Sequence, residues 1–572
     1  MQNPSRSVPV ARRVSRALPV VLIVLCLAPA AGAQPISIAD VMAKSGDPLP
    51  GGTLDLFDDW PVGGAFDDDG AAYTVVRNDS GNWEYAVARI DGSSVTPLVK
   101  GCNSYGTECH ATPIGGGFAH FYWTLTSYQP QLNDAGDLLF RAAVAGLPGM
   151  EAWFMRRASG TLESIVAHGS ANPLGGVFNN LRNASLGDNG DVVFIGTSNG
   201  YTNAEAGVFR WRNGVIAPLL NHGQPSPAGG TYNMLLMANV LPTIDPLGNT
   251  AFVGLVTGGP HHLAHVDTDG DLQAWMAHDT PTPFGGTWGT SPDTALFNDC
   301  GDLIVATDVV YAGSGLAISL VVKRGGDWEL LLDSNTILPD GTDIAGVGLP
   351  RPPYRGMDDN GNVLTNVSMQ HPGGPMLQEA LMLVRVDGTM EIVFEDGDPS
   401  PDGGLFTADA NPAFGEPSLN DAGQAMFAAR TSGTGEILAR IDGLVPPVGA
   451  WGNLGLGLAG ASGVPALVGL GLFEAGGSTG LALSGAAPSA PAVLFLGFTA
   501  AKQSFKGGVL VPALDLPPIA LATAADGSLA LGPAPVPGNL PPRLKLFAQV
   551  WVQDAGAPAG AAASNALKAV SR

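Results

Sequence analysis

Short apolar runs alternate with polar, turn-rich stretches along most of this chain, and one phrase of that pattern returns seven times between Gly46 and Gly443. Its clearest copies are Asn133-Asp134-Ala135-Gly136-Asp137-Leu138-Leu139-Phe140 and Asn420-Asp421-Ala422-Gly423-Gln424-Ala425-Met426-Phe427, and looser copies place the glycine at Gly70, Gly190, Gly248, Gly301 and Gly361. Asn and Asp side chains bond their own backbone, and Gly accepts a positive φ, so each phrase predicts a turn that feeds a strand. The last copy reads most cleanly. A Pro/Gly loop, Asp396 to Phe406, breaks any ladder because proline lacks a donor. An extended piece, Glu416 to Leu419, enters the turn, and strands Gln424 to Arg430 and Glu436 to Ile441 follow, closed by the hairpin signal Asp442-Gly443. The six earlier copies each add a fourth apolar strand: Val95 to Val99, Leu162 to Ala167, Ile216 to Leu220, Leu272 to Ala277, Trp328 to Leu332 and Met390 to Phe394.

Four strands per unit, at intervals of 53 to 66 residues between successive glycines, predict a β-propeller array rather than a thin solenoid. The seventh unit lacks its fourth strand and runs into Val445-Pro446-Pro447, while Ile36 to Ala43 is a strand-like piece with no partners of its own. The two fragments complete each other. The expectation is therefore an all-β chain: a seven-bladed β-propeller over residues 34–445, with the N-terminal strand closing the last blade and leaving few exposed edges.

By these motifs the repeat region resembles the tandem-repeat bacterial surface and exported proteins defined by an NxxGxxxF repeat, which carry varied C-terminal anchoring or sorting modules. The resemblance spans residues 34–445, close at Asn133–Phe140 and Asn420–Phe427 and partial at Gly187–Phe194 and Asp245–Phe252. Unit 1 has Thr74 beside Tyr73 where the phenylalanine belongs, unit 5 has Val305 and unit 6 has Thr365. The resemblance implies export and surface association, and brings no catalytic residues with it.

The two ends read differently from the array. Arg6, Arg12, Arg13 and Arg16 precede an apolar run from Val20 to Leu27 and the small residues Ala31-Gly32-Ala33, the pattern of a signal peptide over residues 1–33. That run is too short for a typical membrane span, no later stretch is long enough, and Leu25 before Cys26 argues against lipid anchoring. The expected product is exported: extracellular, at the cell surface or periplasmic. Residues 446–572 turn to Gly, Ala, Leu and Pro, with strand-like runs Leu481 to Ser484, Ala492 to Thr499, Gly508 to Leu514, Leu529 to Gly532 and Leu544 to Gln553. This predicts a small antiparallel β-sandwich, either a sorting or attachment module or a domain that caps the array.

Charge narrows the partners. The whole chain carries −24, and because the leader holds four arginines and no acid the exported part is more negative still. Residues 446–572 hold six Lys/Arg against four acids, so the negative charge belongs to the repeats. Such an array repels nucleic acid and tolerates cations, basic partners or neutral glycans. A glycan or surface protein is the expected partner, with no nucleic acid, no transmembrane segment after the leader, and a monomeric state. Cys102 and Cys109 bracket a six-residue loop and predict a local disulfide in an oxidising compartment; Cys300 takes the alanine position of the turn phrase.

Candidate chemistry is sparse. Aligning the Pro/Gly loops puts Ser45, Glu108, His168, His222, His278, Ser334 and Asp396 at one repeat position, which reads as a polar turn site rather than as histidines that converge. Asp267, Asp269 and Asp271 alternate as in part of a calcium loop, without the distal Glu of an EF-hand, so Ca²⁺ is the one cation considered and no cofactor is called for. Phe118, His120, Tyr122 and Trp123 could offer aromatic faces to a sugar, or line a core. His261-His262 and Asn82-Trp83 fall in loops between second and third strands. No nucleophile elbow or phosphate loop occurs. The expected function is a non-catalytic binding, adhesion or scaffold protein; the alternative is a glycan-active hydrolase or lyase that uses loop carboxylates and histidines on one face.

Overall fold

In the computed structural model the described residues are 39–572, apart from 50–51, 56–64, 79–84, 102–108, 122–128, 146–150, 199–203, 236–240, 299, 313–314, 325, 349–355, 375–376, 387, 408–412, 447–448, 539, 542–543 and 572. The expected leader, Ile36 to Ile38, Cys102, Glu108, Tyr122, Trp123 and Asn82-Trp83 therefore lie outside them, as does the side chain of His120. Every regular element described is a β-strand, every described pairing is antiparallel, and residues Ser37–Arg572 form one compact unit.

Among the described residues of 40–441, the strands fall into seven sheets of four or more strands and one two-stranded ribbon. Unit 3 is typical: Asn180–Leu186, Val192–Thr197, Gly207–Arg212 and Val215–Asn221 pair in chain order. Unit 7 differs as its sequence requires. Ser418–Leu419, Ala425–Thr431 and Gly435–Ile441 pair in order, and the fourth place is taken by Asp40–Lys44, with Asp40 opposite Arg440 and Val41 opposite Ala439. The expected N-terminal strand thus lies where the missing partner was, one residue longer at its C-terminal end.

The phenylalanine of the repeat phrase explains why the units pack. Phe140, Phe194, Phe252 and Phe427 are 0 or 1 % exposed, and Thr74, Val305 and Thr365 fill the same buried slot, so the departures change side-chain volume and not register. Buried clusters straddle the seams between units. Phe194 and Phe209 of unit 3 pack with Leu139 and Trp153 of unit 2. Met426, Ala428 and Leu438 of unit 7 pack with Phe66, Ala72 and Val76 of unit 1. The last unit therefore meets the first, and the order of units closes on itself.

The Pro/Gly segments after units 1, 2, 3, 4 and 6 interrupt the ladder and also fold into tight hairpins. The amides of Thr112, Asn172, Ser226, Thr282 and Ser400 donate to the carbonyls of Gly116, Gly176, Gly230, Gly286 and Gly404 at 2.9 to 3.1 Å. Proline sits inside the hairpin, where no donor is needed. The second glycine is required by space: a Cβ on Gly116, at φ +74°, would stand 2.3 Å from the Ala145 carbonyl oxygen.

The C-terminal residues form a larger sheet in the order Gly452–Gly455, Ala566–Val570, Lys545–Gln553, Pro491–Gly497, Ile519–Ala522, and a smaller one of Ala466–Leu470, Ser478–Ser484 and Leu529–Pro535. Leu467, Leu481 and Leu483 of the smaller sheet share a buried cluster with Leu494, Val550 and Leu567 of the larger. Asn565, near the chain end, pairs its side-chain amide with both backbone groups of Leu467 at 2.7 and 3.0 Å, in the manner of an extra strand.

Candidate functional site

The residues singled out from sequence do not assemble into one site. Phe118 is fully buried, 4.9 Å from Phe154 and 5.7 Å from both Phe121 and Phe140 between ring centroids, so no face of it is open to a sugar. That corrects its assignment as a ligand-binding residue: a bulge in its strand lets Phe118 and Phe121, three residues apart, both pack into the seam between units 1 and 2. Asp267 caps its own turn, its Oδ1 accepting the amides of Asp269 and Asp271 at 3.0 and 2.8 Å. Among the described residues no group of three or more His, Cys, Asp or Glu is placed to hold a metal ion.

The repeat-aligned position is real but dispersed. The amides of His168, Ser334 and Asp396 donate to a carbonyl of their own unit's third strand, and those of His222 and His278 to the residue just before it, at 2.8 to 2.9 Å. Each follows the fourth strand, at the sheet edge away from the first, and the three histidines stand on three separate sheets. His261 accepts the Val256 amide at Nδ1, 2.8 Å away. His262 is buried against Tyr232, Oη to Nε2 2.8 Å. Burial lowers the His262 pKa and pushes the Tyr232 phenol up to about 12. Cys109 is disulfide-bonded.

The densest set of perturbed ionisable groups lies on the face formed by the repeat turns. Neighbouring turns grip one another in a repeated way. Asn133 Nδ2 donates to the Gly187 carbonyl at 3.3 Å, and the Asp134 amide to Asp188 Oδ1 at 3.0 Å. Between units 5 and 6 Asn298 likewise donates to the Asp358 carbonyl, and the third residue of the phrase, Cys300, donates its amide to Asp359 Oδ1, both at 3.0 Å. The Asp359 amide reaches Asp421 Oδ1 at 3.0 Å. From unit 7 to unit 1, Asn420 Nδ2 reaches the Asp67 carbonyl at 2.7 Å, and the Asp421 amide reaches Asp68 Oδ1 at 3.0 Å. The first two residues of the turn phrase, and in unit 5 the first and third, thus bind the next unit, a role that sequence reading had confined to the turn itself.

Two lysines of the C-terminal module enter this face. Lys545 Nζ lies 3.1 Å from Asp302 Oδ1, and Lys568 Nζ donates to the Asn360 carbonyl at 3.1 Å, while Asn360 Nδ2 donates to the Pro446 carbonyl at 3.3 Å. Desolvation pushes the Asp358 carboxyl up to about 6 against hydrogen bonds from Asn362, and raises Asp421, which also faces Asp359, Asp68 and Asp358. The Cys300 thiol is raised well above its ordinary range by burial, then by Asp359, which makes it a poor nucleophile. Chemically the arrangement joins sheets and neutralises charge.

Sequence reading also missed the arginines that end the third strands. Ala88-Arg89-Ile90-Asp91-Gly92 and Ala439-Arg440-Ile441-Asp442-Gly443 are the same five residues, which was the available signal. Arg440 Nη1 donates to the Gly70 carbonyl of unit 1 at 3.0 Å, Arg324 to Gly361 of unit 6 at 2.6 Å, and Arg210 to Gly248 of unit 4 at 3.3 Å. These side chains carry the turn glycine's carbonyl across a seam.

With this geometry in place, comparison with known proteins adds little chemistry. A family model described only as a family of unknown function, DUF7453, matches residues 112–280, which begin in one Pro/Gly hairpin and stop just short of the third one after it. No curated protein matches. Among solved structures, PorZ, a bacterial surface component of the type-IX secretion system of Porphyromonas gingivalis, is 12% identical with a TM-score of 0.30, covering 87% of this chain and 64% of that one, less than two thirds of its own length. A Trypanosoma rangeli sialidase is 10% identical with a TM-score of 0.28, covering 81% of this chain and 94% of its own. The Bacteroides ovatus xyloglucan PUL protein GH43B is 12% identical at 0.21, covering 77% and 96%. Likenesses this distant carry no activity over to this chain, which is an all-β protein similar over part of its repeats to that family.

Proposed function

We propose that this chain is an exported, non-catalytic seven-bladed β-propeller over residues 34–445, followed by a β-sandwich over 446–572, and that it acts as a binding or scaffold protein at the cell surface or outside the cell. One observation carries the reading: Asp40–Lys44 supplies the last sheet's fourth strand while Asn420 and Asp421 bond Asp67 and Asp68 of the first unit. A chain joined end to end in this way leaves few free edges and presents a rigid, strongly acidic surface, which suits presentation to a glycan or protein partner. The turn carboxylates and third-strand arginines act between units, and the aligned histidines stand apart, which supports binding over turnover. Anchoring and localisation rest on the leader pattern and on the NxxGxxxF resemblance. Among the described residues no helix is long and apolar enough to cross a membrane.

The test is a glycan and cell-surface binding screen with the full exported chain, run beside a polysaccharide turnover panel and fractionation of the producing cells. Retention on a glycan or surface fraction without turnover is the expected result. Turnover of a polysaccharide, or an inert chain found free in the medium, contradicts the reading.

A further inference from the structure

We propose that the end of unit 5 away from its repeat turn is a docking surface for a basic, aliphatic polypeptide segment, centred on Leu316 and Ile337. The inference rests on the binding reading above and narrows the partner from glycan or protein to protein. Its starting point is where large aliphatic side chains stay in water. Val215 and Leu247 do so singly, in turns of units 3 and 4, and single exposures need no explanation. Val310, Leu316, Ile318 and Ile337 do so together, at 38, 60, 38 and 68 % exposure.

The register makes them neighbours. Leu303–Tyr311 and Gly315–Arg324 are the longest second and third strands among the described residues of the array. They place Val310 opposite Leu316 and Asp308 opposite Ile318. The Ile318 amide donates to Ser334 Oγ at 3.1 Å, and the Ile318 carbonyl accepts the Ser334 amide at 2.9 Å. Ile318 thus turns its backbone away from the second strand. Its pair, and the Val310–Leu316 pair two residues on, are therefore the narrow kind with side chains close together. Ser334 opens the hairpin that carries Ile337, which is bridged in turn to Asp343. The same alternation leaves the Leu316 amide and carbonyl facing outward. Asp327–Asp333, the strand on that side, ends opposite Ser319, so no described strand covers Leu316.

Charge then selects the occupant. Asp340 and Asp343 are exposed beside Ile337, and Asp308 is half-buried beside Ile318. His371, which faces Asp340, is paired with Glu395 at 2.8 Å. Between Arg212 and Arg351 the chain has no lysine or arginine besides Lys323 and Arg324. Both lie at the repeat-turn end of their strand, where Arg324 reaches Gly361. A second copy would bring these carboxylates against one another, and an anionic lipid surface would be repelled. Aliphatic side chains give a sugar ring no aromatic face to stack on. An extended segment with Leu, Ile or Val flanked by Lys or Arg meets the apolar cluster, the carboxylates and the open backbone of Leu316 together. The C-terminal module is not that segment, since it meets unit 5 at the other end of the sheet, through Asp302 and Glu329.

Fluorescence anisotropy of labelled twelve-residue peptides with the full exported chain tests this at physiological ionic strength. A peptide alternating Leu and Lys binds. One alternating Ser and Lys, of equal charge, and one alternating Leu and Glu bind at least about tenfold more weakly. Leu316→Ser with Ile337→Ser, exposed sites whose change leaves the melting temperature in place, weakens the Leu/Lys peptide about tenfold. Asp340→Asn with Asp343→Asn weakens it about threefold and flattens its dependence on salt. Val215→Ser with Leu247→Ser leaves it unchanged. Equal binding of the Ser/Lys peptide, or equal loss in the Leu316/Ile337 and Val215/Leu247 variants, overturns the inference. So does self-association of the chain that Leu316→Ser with Ile337→Ser abolishes, which assigns the surface to a second copy. A chain that ignores the Leu/Lys peptide while still held by a glycan or cell-surface fraction overturns this inference alone and leaves the binding reading standing.

Discussion

The repeat array and the C-terminal module are both antiparallel β structures with apolar cores, yet they are assembled on opposite principles. In units 2 to 6 each sheet is built from strands consecutive in sequence, such as Leu138–Ala145, Glu151–Arg156 and Leu162–Ala167, and long-range order comes from seams between sheets. In the module, Gly452–Gly455 pairs with Ala566–Val570, and Pro491–Gly497 with Lys545–Gln553, so the sheets themselves join distant segments. Local pairing costs little loop-closure entropy per contact, and non-local pairing costs more. The array should therefore tolerate loss of a neighbour, whereas the module should fail as a whole.

The largest expected effect follows directly. Ending the chain after Gly560 removes Ala561–Ala563 and Ala566–Val570, which pair with Lys545–Gln553 and, through Ala566–Val570, hold Gly452–Gly455 in the larger sheet. The module should unfold and become protease-sensitive, leaving a resistant fragment ending near Val445; loss of that fragment too would break the comparison. Next, Phe194→Ala empties a slot lined by Phe178 and Phe209, at 5.6 and 5.5 Å between centroids. It should cost about 3–5 kcal/mol in denaturant unfolding. A smaller effect separates bonds across seams from bonds within a unit. Arg440→Ala removes the donation to Gly70, whereas Arg385→Ala removes only a half-exposed pair with Glu391 of its own sheet. The first should cost about 1.5–3 kcal/mol and the second less than about 1 kcal/mol, and equal losses would deny the seam its importance.

The smallest effect is in pH dependence. Burial pushes the Asp358 carboxyl up to about 6 from its ordinary value of 3.8, so the native state binds its proton more tightly than the unfolded chain does. Its contribution to stability is greatest below the unfolded value and declines as pH rises through 6. Urea midpoints of Asp358→Asn should change less between pH 4 and 7 than those of the unchanged chain. A parallel shift in both would remove Asp358 from the account.

The same contrast explains what could be read without coordinates. Repetition made the array legible: a turn phrase seen seven times averages out its weak copies, and the missing fourth strand of unit 7 pointed to Ile36 to Ala43, whose described part pairs there as Asp40–Lys44. In the module, Leu481 to Ser484 and Leu544 to Gln553 were visible as apolar runs, but Ala466–Leu470, Ile519–Ala522 and Ala566–Val570 were not. Their alanines and glycines carry little β signal, and their partners lie far away in sequence. For the candidate site, sequence pointed to aromatic and histidine-rich stretches, because such side chains commonly bind ligands. Phe118 instead fills a seam, and the charged groups that interact most strongly belong to the turns. Their role was hidden because a turn residue's lateral neighbour is about 60 residues away, and only the repeat period connects the two.

A cross-link between the two ends of the repeat region tests the central claim most directly. Val41 and Ala439 are opposed in the closing pair, where antiparallel Cα atoms stand about 4.5–5.5 Å apart, within reach of a disulfide. Val41→Cys with Ala439→Cys should give one intramolecular bond, detected by mass spectrometry of the oxidised chain, while Val41→Cys with Ala152→Cys gives none. Absence of the first bond in a folded chain, or its formation only between molecules, would contradict closure of the array by its own N-terminal strand.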